Sequence, residues 1–331
     1  MTTKDTISVV VPLYNKGPHI GRAIESILAQ TSAPNEIIIV DDASTDDGVA
    51  QISRFTDSRI RIVHRNQPGP GGYAARNAGI ETATSEWIAF LDADDTWMPG
   101  AMAEVRRLIG SADDGVSCLF TGYNRDYGDR VEPAKGVKGL RAGETKRLTF
   151  GDYLDAWLFS GQSPMWTSAV VARRSSLIQA GLFPAGKCNR GGDKDMWLRL
   201  LTVGDALCGA VTTATYHQNT VNMVTRTTNT NQCPFLCSTL EAMVPTSPAD
   251  VALRIKRLIN WEMVCHARDA WRTQHRVGPD LYRGFHIREN PGRYMLLVSM
   301  AWAPKYLLDA SYRARALLKN RKAPAEPRPA H

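Results

Sequence analysis

From Ile7 to Phe120 the chain alternates short β-branched runs with amphipathic stretches, and that alternation constrains its fold more than any other feature. The runs are ISVVVPLY, EIIIVDD, RIRIVHR, EWIAFLD and VSCLF. Between them lie KGPHIGRAIESILAQ, TDDGVAQISRF, GYAARNAGIETA and PGAMAEVRRLIG, which read as helices. Strand and helix in regular turn predict an α/β fold, a mostly parallel sheet flanked by helices on both faces. Pro18, the pair Ser44-Thr45 and Pro99 mark helix starts. With 331 residues, 43% of them hydrophobic, there is material for a large core. Only the last residues, NRKAPAEPRPAH, read as disordered.

In sheets of this kind ligands bind beyond the carboxyl ends of the strands. Those ends carry Pro12-Leu13-Tyr14-Asn15, Asp41-Asp42-Ala43-Ser44, His64-Arg65-Asn66 and Asp92-Ala93-Asp94-Asp95, so acidic and polar groups collect along one edge. Three carboxylates within four positions call for positive charge nearby, because like charges at a few ångströms resist ionising together. Hard oxygens at a strand end suit Mg²⁺ or Mn²⁺, which take one or two carboxylates plus phosphate oxygens. An extended Asp-Ala-Asp sends Asp92 and Asp94 to the same side. Either acidic cluster also reads as a helix cap; two on adjacent loops are hard to explain as caps alone.

Taken in order, ISVVVPLYN, IIIVDDAST, ARNAGI, FLDADD followed by MP, and GDKDMWLRL resemble a family 2 glycosyltransferase of the GT-A fold, over roughly residues 7–220. The resemblance implies an inverting enzyme that moves a sugar from a nucleotide diphosphate sugar, most commonly a UDP-sugar, onto the hydroxyl of a saccharide or lipid-linked saccharide. It implies Mn²⁺ or Mg²⁺ as cofactor. Carried over by position, Pro12, Tyr14, Asp41 and Asp42 border the nucleotide, with Asp42 nearest the base. Arg76 and Asn77 line the phosphate and ribose side. Asp94 is the direct metal ligand, Asp92 acts through the ribose or a water, and His217 is a further metal contact. The general base is Asp193 in 191-GGDKDMWLRL-200, at a helix N-terminus; Asp195 is the next candidate.

The chain departs from the family pattern at Gly192, where a glutamate usually precedes the base. That departure motivates a second reading, a nucleotide-sugar-binding protein with little or no transferase activity. Neither a Q-x-x-R-W motif nor membrane-spanning helices follow, which argues against a processive polymer synthase.

The domain reading is a GT-A catalytic domain over 1–225, a helical extension over 226–318 and a basic, Pro-rich tail over 319–331. The formal charge of +7 is uneven: residues 251–331 hold 16 Lys and Arg against 6 Asp and Glu, so the first 250 residues are net acidic. A basic segment ending in the apolar stretch YMLLVSMAWAPKYLL points to a peripheral membrane surface through 251–322. It lacks the interleaved aromatic and basic pattern of a nucleic-acid binder. MTTKDTISVVVPLYN is too short an apolar run for a signal peptide or a span, and the six cysteines show no metal spacing, so a cytoplasmic protein at the inner face of the cell membrane is expected.

Overall fold

The computed structural model describes residues 5–134, 140–141, 143–221, 233–274 and 277–302. Arg226, a sequence candidate for neutralising the diphosphate, the tail over 319–331 and the part of the basic segment beyond Trp302 lie outside the described residues. The chain divides into one unit of residues 1–228 and 235–258 and another of residues 229–234 and 259–331.

The first unit follows the alternation read from the sequence. Its strands and helices are β1 (Ile7–Leu13), α1 (Gly17–Leu28), β2 (Glu36–Asp41), α2 (Gly48–Ile52), β3 (Ile60–His64), α3 (Tyr73–Thr82), β4 (Trp87–Phe90), β5 (Thr96–Trp97) and α4 (Ala101–Ile109). Then come β6 (Val116–Asp126), β7 (Val131–Pro133), β8 (Thr145–Leu148), α5 (Phe150–Ser160), β9 (Val170–Arg173), α6 (Arg174–Gln179), α7 (Gly192–Leu200), β10 (Asp205–His217) and α8 (Phe235–Met243). Helix α9 (Ala249–Gln274) begins in this unit.

The sheet runs β3-β2-β1-β4-β9-β6-β10-β5, with β7 on β6 and β8 on β10. Pairing is parallel from β3 to β4 and between β6 and β10. Strand β9 enters antiparallel to both β4 and β6, so the sheet as a whole is mixed. β1 sits where the chain order reverses, between β2 and β4, and in such sheets that reversal point is where a ligand crevice is expected.

Period-two burial sorts β1 onto two layers. Ile7, Val9, Val11 and Leu13 pack with Ile20, Ile24 and Ile27 of α1 and Met102, Val105 and Leu108 of α4. Each such side chain, once buried, contributes about 1.5–3 kcal/mol. On the other face α3 crosses close to β1: a Cβ at Gly79 would lie 2.4 Å from Val10 Cγ1, so only glycine fits there. Phe90 of β4 meets Phe183 and Trp197 edge-on or tilted at 5.5 and 5.8 Å, which seats α7 on that same face.

In the second unit, the rest of α9 is joined by α10 (Asp280–Arg283) and α11 (Pro291–Trp302). Asn260 donates to the His286 carbonyl and accepts from its N–H, both at 2.9 Å. Met295, Leu296 and Trp302 of α11 are exposed. No described helix is long and apolar enough to cross a membrane.

Candidate active site

The β1 and β2 ends are knitted together by their own side chains. Asn15 and Ala43 take left-handed backbone conformations, with φ of 50° and 59°. Asn15 Oδ1 accepts from Thr45 N–H at 2.8 Å, and Asp41 accepts from Ser44 N–H at 3.0 Å and faces His64 Nδ1 at 3.2 Å. Asp42 is buried, pairs with Arg65 and accepts from Gly69 N–H at 2.9 Å. It therefore fastens the glycine loop that leads into α3. Tyr14 is exposed at the rim, and Pro12 lies under Gly72, whose added Cβ would stand 3.6 Å from Pro12 Cβ.

Each of the three crowded aspartates meets a different partner. Asp92 pairs with the buried guanidinium of Arg76, which also donates to Gly71 O at 2.9 Å and lies 6.0 and 5.6 Å from the Tyr73 and Phe183 ring centres. Burial pushes Asp92 above the usual aspartate range, against the lowering pull of Arg76. Asp94 receives Lys16 Nζ at 2.6 Å and Thr220 Oγ1 at 2.8 Å, both on Oδ2. Asp95 is buried. It accepts from Ser168 Oγ at 2.5 Å, Trp166 Nε1 at 3.1 Å and His217 N–H at 3.3 Å, so its carboxylate ties the turn to β10. Burial, then the neighbouring Asp94 and Asp92, raise its pKa well above 3.8.

Asp193 stands half-buried in the first turn of α7 and accepts from Thr167 Oγ1 at 3.4 Å. The next residue, Ser168, accepts from Asp92 N–H at 3.2 Å and donates to Asp95. One short turn, Thr167–Ala169, thus holds the base candidate and the strand-end aspartates together. Tyr73 adds a second tie: its hydroxyl accepts from Gly192 N–H at 2.8 Å. A Cβ at Gly192 would lie 2.7 Å from Tyr73 Cζ and 2.8 Å from Pro184 Cγ. The packing of α3 against α7 thus explains why glycine stands where a glutamate was expected.

Three residues singled out in the sequence have other partners. Asn77 uses both ends of its amide on the Phe183 backbone, donating at 3.0 Å and accepting at 2.9 Å, which fixes its orientation and leaves one N–H and one lone pair for any further partner. His217 has both ring nitrogens engaged, Nδ1 with Asp126 at 2.8 Å and Nε2 with Thr96 Oγ1 at 3.0 Å. Burial lowers its pKa, with Asp126 pulling the other way, and metal contact through Nε2 requires losing Thr96. Asp195 is buried and held by Arg199 at 2.8 Å and by Thr239. Conversely, Lys16, Tyr73, Thr167 and Ser168 were not singled out; only the expectation of positive charge near the aspartates pointed toward a residue like Lys16.

A cavity of about 570 Å³ is lined by Thr149, Asp152, Met243, Asp250 and Arg254 among others, and by none of the strand-end aspartates. Chemistry rather than volume therefore picks the site. Among the described residues no group of three or more His, Cys, Asp or Glu gathers to hold a metal. Asp94 nevertheless fits a hard divalent cation. Its Oδ1 takes no contact among the described residues and the Thr220 hydroxyl stands beside it. Such a set suits a cation that arrives with phosphate oxygens rather than one caged by protein.

Over 174 residues, 52% of each chain, the protein is 41% identical to alr2836 of Nostoc sp., described as an uncharacterized glycosyltransferase. Over 134 residues it is 38% identical to WfgD of Escherichia coli, described as a UDP-Glc:alpha-D-GlcNAc-diphosphoundecaprenol beta-1,3-glucosyltransferase; the match covers 39% of this chain and 52% of that one. The chain thus spans about half the length of these curated relatives. The structure of S. aureus TarS in complex with UDP-GlcNAc superimposes with a TM-score of 0.71 at 14% identity, over 93% of this chain and 92% of that one, which shows a shared GT-A fold. Residues 8–179, more than half of the chain, match the glycosyl transferase family 2 profile, and the chain belongs to that family.

Proposed function

We propose that this glycosyltransferase is an inverting, metal-dependent enzyme that moves a sugar from a UDP-sugar to a hydroxyl of a saccharide or lipid-linked saccharide, in cell-surface polysaccharide or glycolipid synthesis. Catalysis is assigned to residues 1–225, with 226–318 as a helical extension. The observation that carries the reading is the turn Thr167–Ala169, which ties Asp193 and the Asp92–Asp95 cluster to adjacent residues. A base for the incoming hydroxyl and carboxylates for the departing diphosphate are thereby held in one crevice. UDP as carrier is supported by the UDP-Glc in the name of WfgD and the UDP-GlcNAc bound to TarS.

In this reading Pro12, Tyr14, Asp41 and Asp42 border the nucleotide, and Arg76 offsets part of the burial penalty on a charged Asp92 and orients it toward the ribose side. Asp94 holds Mn²⁺ or Mg²⁺; a bound divalent cation offsets the negative charge that develops on the leaving diphosphate. Asp193 takes the proton from the acceptor hydroxyl. Because Asp94 offers few protein ligands, Mn²⁺ and UDP are expected to stabilise the protein together by more than the sum of their separate effects, read as thermal shift. Asp94→Ala is expected to remove that synergy and transfer with it. UDP binding of equal strength with chelator in place of Mn²⁺ would take the metal out of the mechanism. Donor binding with neither transfer nor donor hydrolysis across a broad acceptor panel would instead identify a binding protein.

A lipid-linked acceptor puts the work at a membrane surface, and we assign the contact to the basic segment 251–322, where α11 exposes Met295, Leu296 and Trp302. The protein is expected to sediment with anionic vesicles at low salt and to be released as salt is raised; equal binding to neutral vesicles counts against the assignment.

A further inference from the structure

Lys16 lies at the start of α1, seventy-eight positions from Asp94, yet its ammonium stands 2.6 Å from Asp94 Oδ2. The two side chains are only 13% and 15% exposed, so water screens the pair weakly. The same ammonium donates to Val221 O at 2.5 Å, and the Val221 N–H in turn donates to His19 Nε2 at 3.2 Å. Thr220, one residue before, donates to Asp94 as well. The result is a positive charge seated on one oxygen of the carboxylate whose other oxygen, Oδ1, a divalent cation would approach.

We propose that Lys16 is the built-in counter-cation of Asp94: it competes with the divalent cation for that carboxylate when no donor is bound, and turns to the diphosphate when donor and cation enter together. The inference rests on the reading of Asp94 as the metal contact. An ammonium on a flexible four-carbon stem can change partners without backbone movement, and a diphosphate offers it more negative charge than one carboxylate. Removing Lys16 therefore acts on two affinities in opposite directions. Free cation gains an uncontested carboxylate, whereas the nucleotide diphosphate loses a cationic partner.

The test is calorimetry on the full chain, with wild type, Lys16→Met, Lys16→Arg and Asp94→Ala, using Mn²⁺ alone and then UDP at saturating Mn²⁺. Lys16→Met is expected to bind Mn²⁺ alone about tenfold more tightly and UDP about tenfold more weakly, and Lys16→Arg to stay near wild type in both. If Lys16→Met weakens Mn²⁺ binding or leaves it unchanged, while Asp94→Ala still loses Mn²⁺-dependent UDP binding, the competition is overturned and the metal reading survives. If Asp94→Ala binds Mn²⁺ and UDP as wild type does, the metal reading itself has failed. Lys16→Gln, with matching thermal unfolding and far-UV dichroism, separates either result from loss of fold.

Discussion

Asp193→Asn is expected to lower turnover by about 10²- to 10⁴-fold, the usual contribution of a positioned general base, while donor affinity stays within about twofold of wild type. Asparagine keeps the shape of aspartate and can still accept from Thr167, which stands 3.4 Å from Asp193 Oδ2, so the first turn of α7 has no reason to shift. What it cannot do is take the acceptor proton. Asp195 offers no substitute, because it is fully buried and occupied by Arg199 and Thr239. The measurement is single-turnover transfer from a UDP-sugar, with UDP affinity determined on the same preparation. Turnover near the wild-type rate would mean that the proton leaves by another route.

Arg76→Leu carries the largest expected cost to the fold. It removes the partner of a carboxylate flanked by two others, and stranding one member of a buried pair typically costs 3–5 kcal/mol, or roughly that. Asp92 keeps 23% of its side chain exposed, so solvent screens part of the charge and about 3 kcal/mol is the better figure. The guanidinium also loses its place between the Tyr73 and Phe183 rings and its bond to Gly71. The effect has a pH signature. Burial already holds Asp92 above its ordinary value of 3.8, and Arg76 is the main influence pulling it down. Without Arg76 the folded protein binds that proton still more tightly than the unfolded chain does. A group raised in this way loses stability as pH rises through its folded value. The deficit of Arg76→Leu against wild type should therefore be smallest near about pH 4 and grow toward about pH 7, as read by urea unfolding at each pH. A deficit constant across that range would show that lost packing, not stranded charge, is the cause.

The fold was legible because its signals are local. Four-residue β-branched runs such as IIIV in EIIIVDD read as interior strands, and GRAIESIL presents its apolar face at helical spacing. The direction of β9 was not legible, since AVVAR reads the same in a parallel or an antiparallel neighbour; the mixed character of the sheet comes from its insertion between β4 and β6 and from the antiparallel β5, β7 and β8. In the site, Asp92 and Asp94 were legible from their place after a buried strand. The groups that meet them were not. Lys16 and Ser168 reach the cluster through contacts spanning 73 to 78 positions and Thr167 reaches Asp193 across 26, and no spacing rule links residues so far apart. Asn77 and His217 show the converse limit. A polar residue on a helix or at a strand end looks free in sequence, and only tertiary partners, here the Phe183 backbone and the Asp126 and Thr96 side chains, show what already orients it.

The fit of Tyr73 over Gly192 makes the two positions historically dependent on each other. No single substitution at 192 can add a side chain while the phenol ring stands 2.7 Å from where its first carbon must go. A smaller residue at 73 and room beside Pro184, whose Cγ stands 2.8 Å from the same point, have to come first, and the intermediate forfeits the hydroxyl that receives the Gly192 N–H. A route to glutamate there must therefore cross a less stable intermediate, so relatives that carry a tyrosine at the first position are expected to carry glycine at the second.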